Sequence, residues 1–323
     1  MKLSKFLGFF TVTLAFVALA LGFVYSQEIV DWYKLRDYTP TSEVATLADN
    51  TTMVASARSL FYVNHPLVAD KDTFNEKCRD NEYSIVLGCY LSGQQGIYLL
   101  DVTDDRLSGI KEVTAAHEFL HAAYERLSSK EKKQVDDMLS DAFSKVTDTR
   151  IKASVEQYNK NDPSVVPNEL HSILGSELRD MSPELEKYYS RYFSNRLKIV
   201  SYSEQYEQAF INRQKAVREF DIKLAALKSD IETSSNKLNQ ESTDLTNLRS
   251  KLNQLKSQDN IDEYNSLIPG FNTRVNSYNE NVDELSAKVV KYNETVQERN
   301  SVVLEESQLI DAIDSRNVVP DQR

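Results

Sequence analysis

His117-Glu118-Phe119-Leu120-His121 is where residue type and spacing first add up to chemistry. On a helix, residues i and i+4 lie on one face, so the two imidazoles can grip a single ion. Glu118 falls beside that face, where a carboxylate can hydrogen-bond an ion-bound water and take its proton. Zn2+ suits imidazole and carboxylate donors in a four-coordinate site, and it lowers the pKa of its bound water to near neutrality. Only four histidines occur in 323 residues, and two of them are here. Chance assembly of the pattern is on the order of a few per thousand. The plain alternative is a pair of partly buried structural histidines.

A hydrolytic zinc site needs a third protein ligand and leaves its fourth position to water. The segment 168–180 offers Glu169, His171 and Glu177. Read as a helix, it places Leu170, Ile173, Leu174, Leu178 and Met181 on one apolar face. Glu177 falls inside that face, and Glu169 and His171 lie at its opposite edges. A carboxylate in an apolar stripe is costly unless it is paired or bound to metal. Glu177 is therefore the expected third ligand, with Glu169 (in an Asn-Glu pair that opens the helix) and His171 as alternatives. Failing that, Glu177 should sit in a buried ion pair with Arg126 or Arg179. If His171 is not a ligand, it can stabilise the oxyanion of a tetrahedral intermediate. Tyr188, Tyr189 or Tyr192 can do the same, although core packing is the plainer role for each.

These side chains must be positioned by a mostly helical framework. Only 8 Gly and 7 Pro are present, which disfavours a turn-rich all-β fold. Residues 59–63 read as a strand ending at His65-Pro66. Residues 83–91 and 97–102, joined by Ser92-Gly93-Gln94-Gln95-Gly96, read as a hairpin. A helix is expected over 111–127, with Val113, Leu120, Tyr124 and Leu127 on its apolar stripe. Ser128 with Glu131 forms a capping box for the next helix. Another helix is expected over 168–181.

After Val200 the pattern changes to heptads. Leu224, Ile231, Leu238, Leu245 and Leu252 fall seven apart, with Leu227, Leu248 and Leu255 in the complementary column and Ser234 and Glu241 as its weak spots. Beyond the polar 257–260, Tyr264, Phe271, Tyr278, Leu285 and Tyr292 repeat the spacing. A column of Ile268, Val275, Val282, Val289, Val296, Val303 and Ile310 accompanies them, and Asn follows the aromatic at 265, 272, 279 and 293. Two such runs around a polar gap predict an antiparallel helical hairpin.

The motif His117-Glu118-Phe119-Leu120-His121, followed by a helix carrying Glu, resembles the gluzincin branch of the zincin metallopeptidases. The resemblance spans roughly residues 55–195. The extension that metzincins carry after the second histidine is absent, since the chain continues Ala122-Ala123-Tyr124-Glu125-Arg126. By that resemblance His117 and His121 are zinc ligands and Glu118 is the general base. A zinc-activated water would attack a peptide carbonyl, with substrate lying beside a strand.

The remaining features concern placement. Lys2 and Lys5 precede an apolar run over 6–25, long enough to cross a bilayer. The expectation is an uncleaved signal anchor, with the N-terminus cytoplasmic and the bulk outside. The alternative is secretion after cleavage at Ala18-Leu19-Ala20. Cys78 and Cys89, the two cysteines, are expected to pair. The net charge of −11, without a basic stripe, argues against nucleic-acid binding.

The expected fold class is α+β. A small, mostly helical zincin-like domain with a short β-hairpin or sheet precedes a long antiparallel coiled-coil hairpin. The organisation is an anchor at 1–25, a juxtamembrane spacer at 26–54, the metallopeptidase domain at 55–199, the hairpin at 200–315 and a tail at 316–323. The expected function is that of a membrane-anchored, extracytoplasmic zinc metallopeptidase. Its partners would be a peptide or protein substrate at the cell envelope, the membrane through the N-terminal helix, and a protein partner for the coiled coil. A zinc amidase acting on cell-wall peptide links is a minor branch, because no separate wall-binding module is present. The rival from another class is a surface structural, adhesive or scaffold protein, in which the coiled coil acts and the zinc site is structural or inactive. Glu118 separates them, since a structural site has no need of a base.

Overall fold

The computed structural model describes residues 25–78 and 86–316. Contacts divide the chain into two units. One holds the described residues up to Ala209 and from Leu309 onward, and the other is Phe210–Gln308.

The first unit opens with α1 (Ser26–Leu35), α2 (Ser42–Asn50) and α3 (Ala55–Val63). Strand β1 (Leu67–Ala69), α4 (Lys71–Lys77), β2 (Gly88–Leu91) and β3 (Gly96–Leu100) follow. A single 3-10 turn at Asp105–Leu107 leads into α5 (Ile110–Glu125). Next come α6 (Ser129–Ser144), α7 (Thr149–Asn161), α8 (Val166–Glu177) and α9 (Pro183–Tyr189). The long α10 (Arg196–Ser257) begins here, and α11 (Ile261–Ile313) returns. The fold is mostly helical, with one small sheet and two long packed helices.

The sheet has the order β1-β3-β2. β3 lies between a parallel β1 (Leu67 opposite Tyr98) and an antiparallel β2 (Cys89 opposite Tyr98). Ile97 and Leu99 point from the central strand into the core. Cys78 and Cys89 form a disulfide that ties the end of α4 to β2.

Helix α5 is the axis of the core. Ala115, Ala116, Phe119, Leu120 and Ala123 are buried along it, against Phe61 of α3, Leu174 of α8 and Phe193. Small residues on α5 let neighbours come close. Gly175 of α8 does the same from the other side, because a Cβ there would lie 2.5 Å from Leu120 Cδ1 and 2.6 Å from Tyr189 Cε1. The α6 capping box forms as expected, with the Glu131 N–H donating to the Ser128 hydroxyl and the Ser128 N–H to the Glu131 carboxylate.

Several expectations are corrected. Residues 59–63 belong to helix α3, not to a strand: Ala57 and Phe61, one helical turn apart, bury one face. A short apolar run is ambiguous between the two periods, and packing against α5 decides it. The strand beside His65-Pro66 is instead β1, just after it. Within residues 26–54, expected as a spacer with a short helix from Thr41-Ser42-Glu43 to about Asp49, that helix forms as α2 and its Val44, Leu47 and Ala48 enter the core, while 26–35 is also helical. Of the strand expected over 83–91, residues 88–91 are extended, and 83–85 lie outside the described residues. The membrane-anchor expectation is withdrawn. No helix among the described residues is long and apolar enough to cross a membrane, and the run over 6–25 lies outside them except for Tyr25.

The second unit is a two-helix antiparallel hairpin. Pairs across it run in opposite order along the two helices: Asp221 with Arg299, Ser234 with Lys288, Glu241 with Asn281, Asp244 with Arg274. A three-residue turn closes it, with Asp259 at φ 57°. Pro269 lies inside α11 and does not end it. The leucine columns of α10 face the seam as expected, with Leu238, Leu252 and Leu255 buried. On α11 the aromatic column does so too, but the valine column leaves the seam beyond Val275. From Asn281 on, the inward column is Asn281, Lys288, Thr295 and Val302, and Val282, Val289 and Val303 are exposed one residue further round. The weak spots of α10 explain the change. Glu241 accepts a hydrogen bond from the Asn281 amide at 3.1 Å, and the Ser234 hydroxyl accepts one from Lys288 Nζ at 2.8 Å. Valine there would remove the cross-seam partner of both polar groups.

Candidate metal centre

His117 and His121 project from one face of α5, one turn apart, with ring centroids 4.8 Å from each other. Facing them is Glu169, in the first turn of α8, which starts at Val166-Pro167. Glu169 Oε2 lies 3.8 Å from His117 Nε2 and 3.9 Å from His121 Nε2. One donor atom from each of the three residues falls within 4.8 Å of the others. In a tetrahedral zinc site with bonds near 2.0–2.1 Å, donors stand about 3.3 Å apart. The two Glu169–imidazole distances stand a little over half an ångström beyond that spacing. The side chains are only 18%, 11% and 14% exposed, so the cluster is sheltered yet reachable. Glu169 Oε2 is buried without a hydrogen-bond partner, a costly state that a bound cation would relieve. The donor set and this orphaned oxygen both fit a zinc ion.

Burial sets the electrostatics. It holds His117 well below the ordinary imidazole value, with His121 and His171 adding to the effect, and it lowers His121 to about 4. Both rings are therefore neutral, as metal ligation requires. Burial raises Glu169 to about 7, opposed by a hydrogen bond from the Tyr158 phenol. Glu118 is pushed well above the usual carboxylate range, first by burial and then by the charge of Glu169, while the Tyr90 N–H donates to it and acts the other way.

Glu118 sits where α5 meets β2. A Cβ on Gly88 would lie 2.6 Å from Thr114 Cγ2 and 2.7 Å from Glu118 Cγ, so only glycine lets the strand run this close. At the far end of β2, Glu125 accepts hydrogen bonds from the Tyr90 phenol and from the Gly93 N–H, the latter at 3.0 Å. The strand is thus clipped to α5 at both ends of the motif helix.

Glu177, the expected third ligand, is not in this cluster. It ends α8 and pairs with Arg150, which also binds Glu207 at 2.6 Å. The ion-pair alternative is met, but with a different partner: Arg126 pairs with Asp31 and Arg179 with Glu204. His171 is not with the ligands either. It is fully buried, hydrogen-bonded at Nε2 to the Tyr188 hydroxyl at 2.8 Å, with the Tyr124 and Tyr189 rings beside it. The Tyr189 hydroxyl donates to the His171 carbonyl at 2.7 Å. Tyr188, Tyr189 and Tyr192 pack with His171 in the core. Burial keeps His171 at about 3, so it is a neutral structural histidine, remote from an oxyanion role.

Tyr158 and Gly88 are the site residues that sequence reasoning missed. A signal existed for Tyr158: Ile151, Val155 and Tyr158 recur at helical spacing, which turns the phenol inward. Gly88 carried none, because its role is a tertiary approach. No family profile, curated protein or solved structure matches this chain.

Proposed function

We propose that the chain is a zinc-dependent peptide hydrolase of gluzincin-like type, with His117, His121 and Glu169 as ligands and Glu118 as general base. The observation that carries it is the convergence of two imidazoles and a partnerless carboxylate oxygen, with a second buried carboxylate alongside. Bound there, zinc would supply a Lewis acid and an activated water. Glu118 is placed to hold a proton there, and would take it from the attacking water and give it to the departing amine. Its raised pKa makes it a stronger base than an ordinary carboxylate. Tyr158 orients Glu169 through the phenol hydrogen bond. Among the described residues β2 is an edge strand, and its Tyr90 N–H points at Glu118, so an extended peptide laid along that edge would place a carbonyl beside the base.

The test is bound zinc per chain, followed by digestion of a peptide library. About one zinc per chain is expected, lost in His121→Ala and kept in Glu118→Gln, with cleavage abolished in both. A metal-replete chain that holds no zinc would sink the proposal. Stoichiometric zinc without cleavage by the parent would leave a structural zinc site, and the scaffold reading would take over.

A further inference from the structure

The valines that leave the seam form a second stripe on α11, together with residues that never enter it. Val282, Val289, Val296 and Val303 make one column. Asn279, Ser286, Asn293 and Asn300 make the other, three residues before each valine. Together they have the spacing of an a/d seam, with the amides at a and the valines at d. None of the eight is charged, although 27% of the chain is. Asp283, Glu284, Lys291, Glu294 and Glu298 lie to either side of the stripe, not on it. Val282, Val289 and Val303, with Val290 and Leu304 flanking them, are 38% to 59% exposed. A heptad stripe kept free of charge over three heptads is a seam without its second helix.

We propose that the occupant is a second copy of this chain, with α11 packed in parallel and in register against its counterpart. Two observations choose it. The columns are segregated, all valine in one and all amide or hydroxyl in the other. In a parallel pair each layer meets its own kind: valine on valine, and amide on amide with donor and acceptor both satisfied. An antiparallel pair would set a against d and bury each amide against valine, at the cost of an unpaired polar group. The second observation is charge. Two copies of a chain with net charge −11 repel each other, and this neutral strip is a line along which their helices can touch without opposing carboxylates. The stripe also adjoins the hairpin's own seam, since Tyr278, Leu285 and Tyr292 stand one position before its amide column. The product is a four-helix assembly in which the two α11 helices form the centre.

The measurement is the mass of the full chain in solution, with cysteine cross-linking to read the register. Twice the 36.9 kDa of one chain is expected for the parent, falling to 36.9 kDa for Val282→Glu with Val289→Glu. Both sites are 40% exposed, and unchanged helicity in the double variant would show that it still folds. Asn293→Cys should form an interchain disulfide on mild oxidation, and Lys291→Cys, on the opposite face, should not. A monomeric parent would overturn the proposal, as would a dimer that survives both glutamates. A dimer in which Asn293→Cys fails to cross-link would overturn the parallel register. Zinc content and cleavage do not enter this test, so it stands or falls apart from the hydrolase reading.

Discussion

The choice between Glu169 and Glu177 turns on which carboxylate has a cation already. Glu177 has Arg150; Glu169 has only a phenol hydrogen bond, and one of its oxygens is left over. Glu169→Ala should therefore abolish stoichiometric zinc. Glu177→Ala should retain it and lower stability by about 1 kcal/mol, because the pair is partly exposed and Arg150 keeps Glu207. Metal analysis and denaturant titration of both variants check this. The same buried groups set a pH dependence for the metal-free chain. Three histidines are held below 6.5, so on acidification toward 4.5 the unfolded chain takes up protons that the folded one refuses, and stability falls. Glu118, Glu169 and Glu207 are held above 4.5, so on raising the pH toward about 7 the unfolded chain has released protons that the folded one keeps, and stability again falls. Above 6.5 only the carboxyls act, and below 4.5 only the histidines do. The metal-free chain should therefore lose stability both above pH 6.5 and below pH 4.5. Melting temperatures of chelator-treated protein across that range test it, and added zinc should lift the alkaline side by fixing Glu169 as its anion.

The elements explain why the site was only half legible in the sequence. His117, Glu118 and His121 are one turn of one helix, and local spacing fully determines their relation. Glu169 reaches them because α5 and α8 cross closely at Leu120 and Gly175, and no helical wheel contains that crossing. The wheel correctly put Glu177 towards the protein interior. It could not say that Arg150, from α7, waited there. The hairpin β2–β3 and most helices are readable from periodicity and caps, whereas α3 reads as a strand because four consecutive apolar residues, 60–63, fit either period. Gly88 offers a test at this scale. Gly88→Ala must displace Thr114, Glu118 or the strand itself, at a cost of about 1–3 kcal/mol. Hydrolysis should drop by at least tenfold while zinc content holds, because the ligands lie on α5 and α8. Zinc analysis paired with peptide cleavage rates separates this from general unfolding.

For the whole molecule, the hairpin's polar layers trade stability for alignment. The Glu241–Asn281 and Ser234–Lys288 contacts sit in an otherwise apolar seam. Replacing Glu241 and Asn281 together by Leu should raise the hairpin's resistance to denaturant by about 1–4 kcal/mol, followed by circular dichroism at 222 nm, a wavelength that reports roughly on helix. The same change removes a marker that fixes how the two helices align. The disulfide has a more practical consequence. It ties β2, at the residue next to Gly88, to the end of α4, while the proposed metal centre would tie α5 to α8, so a covalent staple and a metal site would brace neighbouring parts of one site. A dithiol reductant in the storage buffer would cut the first and strip zinc from the second. An inactive preparation kept in such a buffer would say more about the buffer than about the proposed hydrolase.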